Sequence, residues 1–154
     1  MIPRSVIHST FTLTRALPVP PERVWQAYAD PAQKRKWFVD SGNSTTAEYD
    51  LDFREGGSEV WRGTFDGSPQ ILMRASYIDL VENQRLVVAY QMHIGEQRIS
   101  VSTQTTEFIP TAKGTELKLT EYGAYLDGLD GPDLRKGGTE WLLDTLAAML
   151  GEQG

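Results

Sequence analysis

Leu117, Leu119 and Glu121 alternate with Glu116, Lys118 and Thr120, so a strand here puts the two leucines and Glu121 on one face. The leucines must point inward, and they carry Glu121 inward with them. A carboxyl buried without a partner has its pKa raised and can act as a general acid or base. Paired with an arginine, or placed at the wet strand end near Gly123, the same carboxyl is structural. Both readings stand. Glu121 is the one side chain that offers itself for catalysis. The histidines, His8 and His93, have no companions at ligand spacing, so no metal site is expected. His93 reads as a surface residue at a strand end. There is no cysteine, which excludes disulfides and thiolate ligands. A G-x-S-x-G nucleophile motif is absent. Arg54–Gly57 and Arg135–Gly138 bear glycines but lack the order of a phosphate-binding loop, so neither ATP nor any other cofactor is implied.

The elements that must position Glu121 are a set of strands and one long helix. His8–Leu17 alternates as a first strand, stopped by Pro18, Pro20 and Pro21. Pro21 suits the first turn of a short helix with Val24, Trp25 and Tyr28 on its buried side. Asp30-Pro31 is an N-cap followed by proline at N1, which opens a second short helix ending near Trp37-Phe38. Ser41–Thr46 reads as loop. Strands are then expected near Ala47–Phe53, Ser58–Phe65, Gln70–Val81, Leu86–Ile94, Arg98–Phe108 and Thr115–Tyr122. The turns between them, such as Glu55-Gly56-Gly57 and Asp66-Gly67-Ser68-Pro69, are short enough to force antiparallel pairing. Tyr125–Gly131 is a glycine- and aspartate-rich loop. From Pro132 to Leu150, Trp141, Leu142, Thr145, Leu146 and Met149 recur at helical spacing, and Leu143, Ala147 and Leu150 widen the stripe.

A helix of about 18 residues is roughly 27 Å long and 10–12 Å across. Seven strands at about 4.8 Å spacing make a sheet roughly 30 Å wide. One helix cannot cover that face flat, so the sheet must curl around it and leave a gap. The fold class expected is α+β: a curved antiparallel sheet of about seven strands wrapped on a long C-terminal helix, with two short helices between strands 1 and 2. Residues 1–154 form a single domain in this reading.

Alternation nominates the gap's lining. Trp61 and Phe65 share a face, as do Met73, Ala75 and Tyr77. Val88, Tyr90 and Met92 are taken as inward on the next strand, and Ile99, Val101 and Thr103 on the one after. The expected ligand-binding set is Trp37, Phe38, Trp61, Met73, Tyr77, Tyr90, Met92, Val101, Leu119, Glu121, Trp141, Leu142 and Thr145. It is apolar and aromatic with a few polar groups, the mix a small-molecule pocket needs. Each aromatic also has a plain core reading, most naturally Trp25, Trp37 and Trp141. Gly137-Gly138 inside the last helix either lets it bend or allows close contact with a strand.

Composition narrows the partners. The chain has 154 residues and a net charge of −6, which argues against nucleic acid and an anionic membrane surface as partners. The N-terminus MIPRSVIHSTF lacks the apolar region of a signal peptide, and no run reaches about 18 apolar residues. A soluble, cytoplasmic protein is expected.

The run FTLTRALPVPPERVWQAYADPAQKRKWF resembles the opening signature of the activator of heat-shock-protein-90 ATPase (AHSA-like) branch of the SRPBCC, or START-like, superfamily. Asp52–Gly57, Tyr77–Val81 leading to Arg85-Leu86, Gly114–Leu117, Thr120–Gly123 and Thr139–Leu150 continue the resemblance in order along nearly the whole chain. It implies a helix-grip architecture. It implies less about activity, because one fold hosts binders, cyclases and co-chaperone domains. Three classes follow: a non-catalytic binder of a small hydrophobic or aromatic molecule, which is the reading preferred here; a co-chaperone-like ATPase activator with a chaperone as partner; and a cavity enzyme, cyclase or hydrolase in type, using Glu121.

Overall fold

The described residues, 3–40 and 42–153 of the computed structural model, form seven antiparallel strands and three α-helices. The strands are β1 (Val6–Leu17), β2 (Ser44–Leu51), β3 (Ser58–Phe65), β4 (Ile71–Val81), β5 (Arg85–Ile94), β6 (Gln97–Thr111) and β7 (Gly114–Leu126). Hairpins carry the chain from β2 to β7, and β1 closes on β7, giving one curved sheet in the order β1-β7-β6-β5-β4-β3-β2. The sheet runs past several expected ends. β2 begins at Ser44, within the stretch read as loop, and β7 continues through Tyr125 and Leu126. Ser41, which opens that predicted loop, lies outside the described residues.

Helices α1 (Pro21–Ala29) and α2 (Pro31–Lys34) bridge the two sheet edges. α1 starts on Pro21, whose missing N–H costs nothing at that position, and buries Val24, Trp25, Ala27 and Tyr28. Asp30 caps α2, accepting a hydrogen bond from the Ala32 amide at 3.0 Å. α2 runs directly into a π-helical turn, Arg35–Val39. That wider turn puts Trp37 and Val39 into the core, and the Trp37 indole donates to the Ala27 carbonyl at 2.8 Å. Trp25 and Tyr28 meet Phe108 of β6 edge-on at 5.2 and 5.4 Å, which locks the bridge onto the sheet.

Helix α3 (Pro132–Gln153) packs chiefly against β1 and the π-helical turn. Its buried stripe is Thr139, Leu143, Leu146 and Leu150, a repeat of four and three. The expected stripe is therefore rotated: Trp141 sits on the flank, 45% exposed, with its ring against Gly42. Contact at the sheet edge and at the bridge leaves the inner faces of β3, β4 and β5 for something else to cover.

The inner face of β6 differs from the expected one. Ser100, Ser102, Thr106 and Phe108 are buried, whereas Val101 is 47% exposed and Thr103 is exposed. Ile99 is buried as expected, next to an irregularity in the β5–β6 register between Met92 and His93. An apolar-inward rule fails on β6 because its inner row is polar, and the reason lies in what that row touches.

Candidate functional site

A cavity of about 390 Å³ lies between the sheet and α3. Its wall is built from Phe38, Trp61, Phe65, Met73, Ala75, Leu86, Val88, Met92, Leu119, Leu142 and Leu143, with Trp141 and Leu134 at its exposed rim. Trp61 reaches the wall because Gly63, two residues on along the same face, leaves room for the indole. A Cβ at Gly63 would come within 2.6 Å of that ring and 2.5 Å of the Thr45 carbonyl. Glu59, Ala75 and Tyr90 are directly opposite one another on β3, β4 and β5. Ala75 thus forms a low floor between two taller polar walls whose strands lie roughly 10 Å apart.

The first wall is a buried ion pair. Lys34 Nζ lies 3.1 Å from Glu59 Oε2, and both side chains are about 5% exposed. Tyr49 and Tyr77 donate to the two oxygens of the same carboxylate, at 2.6 and 3.0 Å. Burial and the adjacent Glu59 charge push both tyrosine hydroxyls well above their usual range, so they remain protonated donors. The Lys34 ammonium otherwise faces aromatic rings, Phe38 at 4.5 Å and Tyr28 and Trp37 at 5.4 Å.

The second wall is organised by Arg135, in the first turns of α3. Its Nη1 donates to the Tyr90 hydroxyl at 3.0 Å and reaches toward Ser102, and its Nη2 donates to Ser100 at 2.9 Å and to Asp130. The Tyr90 hydroxyl donates onward to Glu121 Oε2 at 2.8 Å, and Gln104 Nε2 donates to Glu121 Oε1 at 2.9 Å. Arg135 Nη1 is 3.7 Å from Glu121. Ser100, Ser102 and Gln104 of the inner β6 row satisfy this guanidinium and this carboxylate. Burial pushes the Glu121 carboxyl above the usual carboxylate range, and the Gln104 and Tyr90 hydrogen bonds and the Arg135 charge offset only part of that. Burial also penalises the Arg135 cation, but Tyr90, Asp130 and Glu121 more than compensate, so it is held charged. Tyr125 stacks near the guanidinium at 5.6 Å and folds over Gly123, where a Cβ would come 2.7 Å from its hydroxyl.

Of the residues nominated from sequence, Trp37, Phe38, Trp61, Met73, Tyr77, Tyr90, Met92, Leu119, Trp141 and Leu142 meet at this cavity. Glu121 points inward and is fully buried, but Tyr90 and Gln104 reach the cavity wall where it does not. It lies beside Arg135, as the arginine-paired reading has it, and burial still raises its pKa. Val101 is on the outer face of the sheet, because the inward positions of β6 are the even-numbered ones from Ser100 to Phe108. Thr145 is not on the wall; its hydroxyl donates to the Trp141 carbonyl one turn back at 2.9 Å. Lys34, Glu59, Gln104 and Arg135 line the cavity and were not nominated. Glu59 carries a signal, since it alternates with Trp61 on β3. Lys34 and Arg135 carry none, because a cation on a short polar segment normally faces water. Among the described residues, no three His, Cys, Asp or Glu side chains converge as metal ligands, and no helix is long and apolar enough to cross a membrane.

Gly137 and Gly138 are not there for close packing, since an added Cβ at either meets nothing within 4 Å. Gly137→Ala is therefore expected to raise stability by about 0.5–1 kcal/mol, through lower entropy of the unfolded chain and better helix propensity. A urea midpoint that rises with unchanged slope would bear this out. A fall would mean that the helix needs a backbone freedom at Gly137 that alanine lacks.

Comparison with known proteins extends the picture. The family described as activator of Hsp90 ATPase homolog 1-like protein matches residues 18–151. A Rhizobium loti protein of known crystal structure is 46% identical, with 94% of this chain and 98% of that one covered and a TM-score of 0.87. A putative uncharacterized protein from Rhizobium leguminosarum is 38% identical over 97% of this chain and 98% of that one, with a TM-score of 0.92. An AHSA1-like protein from Aeromonas hydrophila, solved in solution, is 19% identical over 95% and 94% of the two chains, with a TM-score of 0.72, and shares the fold. No curated protein matches.

Proposed function

We propose that this chain, which belongs to the activator of Hsp90 ATPase homolog 1-like family, works as a single domain that binds a small hydrophobic or aromatic molecule between its sheet and α3, without catalysis. One observation carries the reading: the cavity of about 390 Å³ is walled mainly by aromatic and aliphatic side chains, with few polar groups at set positions. That volume falls within the range of small-molecule sites, about 300–1,000 Å³. The non-catalytic part rests on Glu121. Its oxygens are occupied by Tyr90 and Gln104, and it has no face of its own on the cavity.

The test uses N-phenyl-1-naphthylamine, a neutral apolar fluorophore that brightens when it leaves water. Titration into the protein is expected to give a saturable rise in fluorescence. Ala75→Leu raises the floor between the polar walls and is expected to weaken that binding at least tenfold while the protein stays folded. If the native protein gives no saturable signal, or if the leucine variant binds as tightly, the cavity does not hold ligands in this way.

A further inference from the structure

Given the binding reading above, on which this rests, we infer that the cavity takes a neutral ligand carrying a hydrogen-bond donor, such as a phenol or aromatic alcohol, and disfavours carboxylates and other anions. The inference follows from how the polar groups of the two walls are already used.

The cavity has two cations within reach, and each is already paired with a carboxylate. The Lys34 ammonium is held by both oxygens of Glu59, at 3.3 and 3.1 Å, and beyond that faces the Phe38 ring. Arg135 spends both terminal nitrogens on Tyr90, Ser102, Ser100 and Asp130. Against these two cations stand three carboxylates: Glu59, Glu121 and Asp130. An incoming carboxylate would leave water for a mostly apolar space and meet an excess of its own sign. Burial of a charge without a free partner is strongly disfavoured.

Other donors on the walls are committed too. Tyr77 donates to Glu59, Tyr90 to Glu121, and the Trp61 indole to Thr46 at 3.0 Å. An acceptor is left over. Gln104 turns its Nε2 to Glu121, and its amide oxygen accepts no hydrogen bond among the described residues, although Gln104 lines the cavity. The Tyr90 oxygen, which accepts once from Arg135, has a second lone pair. A ligand that donates toward Gln104 or Tyr90 satisfies these groups; a ligand that only accepts leaves the amide oxygen unpaired.

Three probes of one ring system separate the possibilities: 2-naphthol (neutral, donor), 2-methoxynaphthalene (neutral, no donor) and 2-naphthoate (anion, no donor). Each is titrated at pH 7 against protein loaded with N-phenyl-1-naphthylamine. Displacement by 2-naphthol is expected to be at least tenfold tighter than by 2-naphthoate and several-fold tighter than by 2-methoxynaphthalene. In Gln104→Leu the advantage of 2-naphthol over the methoxy compound should shrink toward unity. If 2-naphthoate displaces the fluorophore as well as 2-naphthol does, the charge argument is overturned while binding itself stands. If the leucine variant keeps the full preference for the donor, the role given to Gln104 is overturned. Absence of any fluorophore binding would instead overturn the site as a whole, so the two failures are distinct.

Discussion

Glu59→Gln is expected to lower stability by about 3–5 kcal/mol, the cost of leaving one half of a buried ion pair without the other. Glu59 is 4% exposed, as is Lys34, so water cannot replace the lost partner. Glutamine keeps the shape and one acceptor oxygen, which can still serve Tyr49 or Tyr77. It holds a buried ammonium less well than the carboxylate does, and the rings of Tyr28, Trp37 and Phe38 that the ammonium otherwise faces recover only part of the loss, about 2 kcal/mol for a desolvated cation–π contact. The reverse substitution, Lys34→Met, should cost less. It leaves a carboxylate that still accepts from two tyrosine hydroxyls, at 2.6 and 3.0 Å. Adding Lys34→Met to Glu59→Gln should recover more than half of the loss, since the stranded charge is then gone. Urea midpoints at constant slope for the four proteins measure this directly. An order in which the lysine change costs more than the glutamate change would show that the tyrosines do not support Glu59 as described.

How much of this was legible beforehand depends on which physical rule each residue obeyed. The architecture was legible because the strands announce themselves by alternation and short turns, and because a single terminal helix is too narrow for the sheet they form. Trp61, Met73 and Leu119 obeyed the rule that apolar residues face the core, and they line the cavity. Val101 broke it. Ser100, Ser102 and Gln104 take inward places on β6 because Arg135 and Glu121 need polar neighbours there, and nothing local to β6 announces a requirement set by α3 and β7. Thr145 was misplaced by a rotation of the α3 stripe, and Trp141 reaches the cavity from the exposed flank rather than from the buried stripe. The helix carries apolar residues on more than one side, so spacing alone does not say which of its faces is covered. Glu121 was legible in direction but not in role, since its partner lies 14 positions away on another element. Lys34 and Glu59 form a pair 25 residues apart, a separation at which pattern reading has no purchase.

The two walls share one design: a cation fixed by a carboxylate, with tyrosine hydroxyls completing the shell. They differ in balance. Lys34 and Glu59 cancel, whereas Arg135 serves both Glu121 and Asp130. The second wall therefore keeps an excess of negative charge, and burial answers by raising the Glu121 pKa. A polar wall of this kind fixes the floor at Ala75 without filling it. The cost of burying five ionisable groups is offset by mutual pairing, which ties the β3 and β7 sides of the sheet to the segments that lie across them.

Arg135→Leu tests that balance and should have a comparable effect, a loss of about 3–5 kcal/mol at pH 8. The Glu121 side chain is fully buried and would keep the neutral partners Tyr90, Gln104 and Ser102 but no cation. The pH dependence carries the argument. A carboxyl whose native pKa lies above its unfolded value binds more protons in the native state. Its contribution to stability is complete below the unfolded pKa and is lost as pH rises through the native one. Glu121 is already shifted upward, chiefly by burial, and removing the Arg135 charge moves it further in the same direction. The deficit of the leucine variant relative to the native protein should therefore be largest at pH 8 and shrink toward pH 5, as Glu121 takes up a proton. Adding Glu121→Gln should recover a large part of the loss at pH 8 and flatten the pH dependence. Urea unfolding of the three proteins at pH 5 and pH 8 is sufficient. A deficit equal at both pH values, with no rescue by glutamine, would mean that Arg135 stabilises the fold through the packing of its stem rather than by holding two carboxylates.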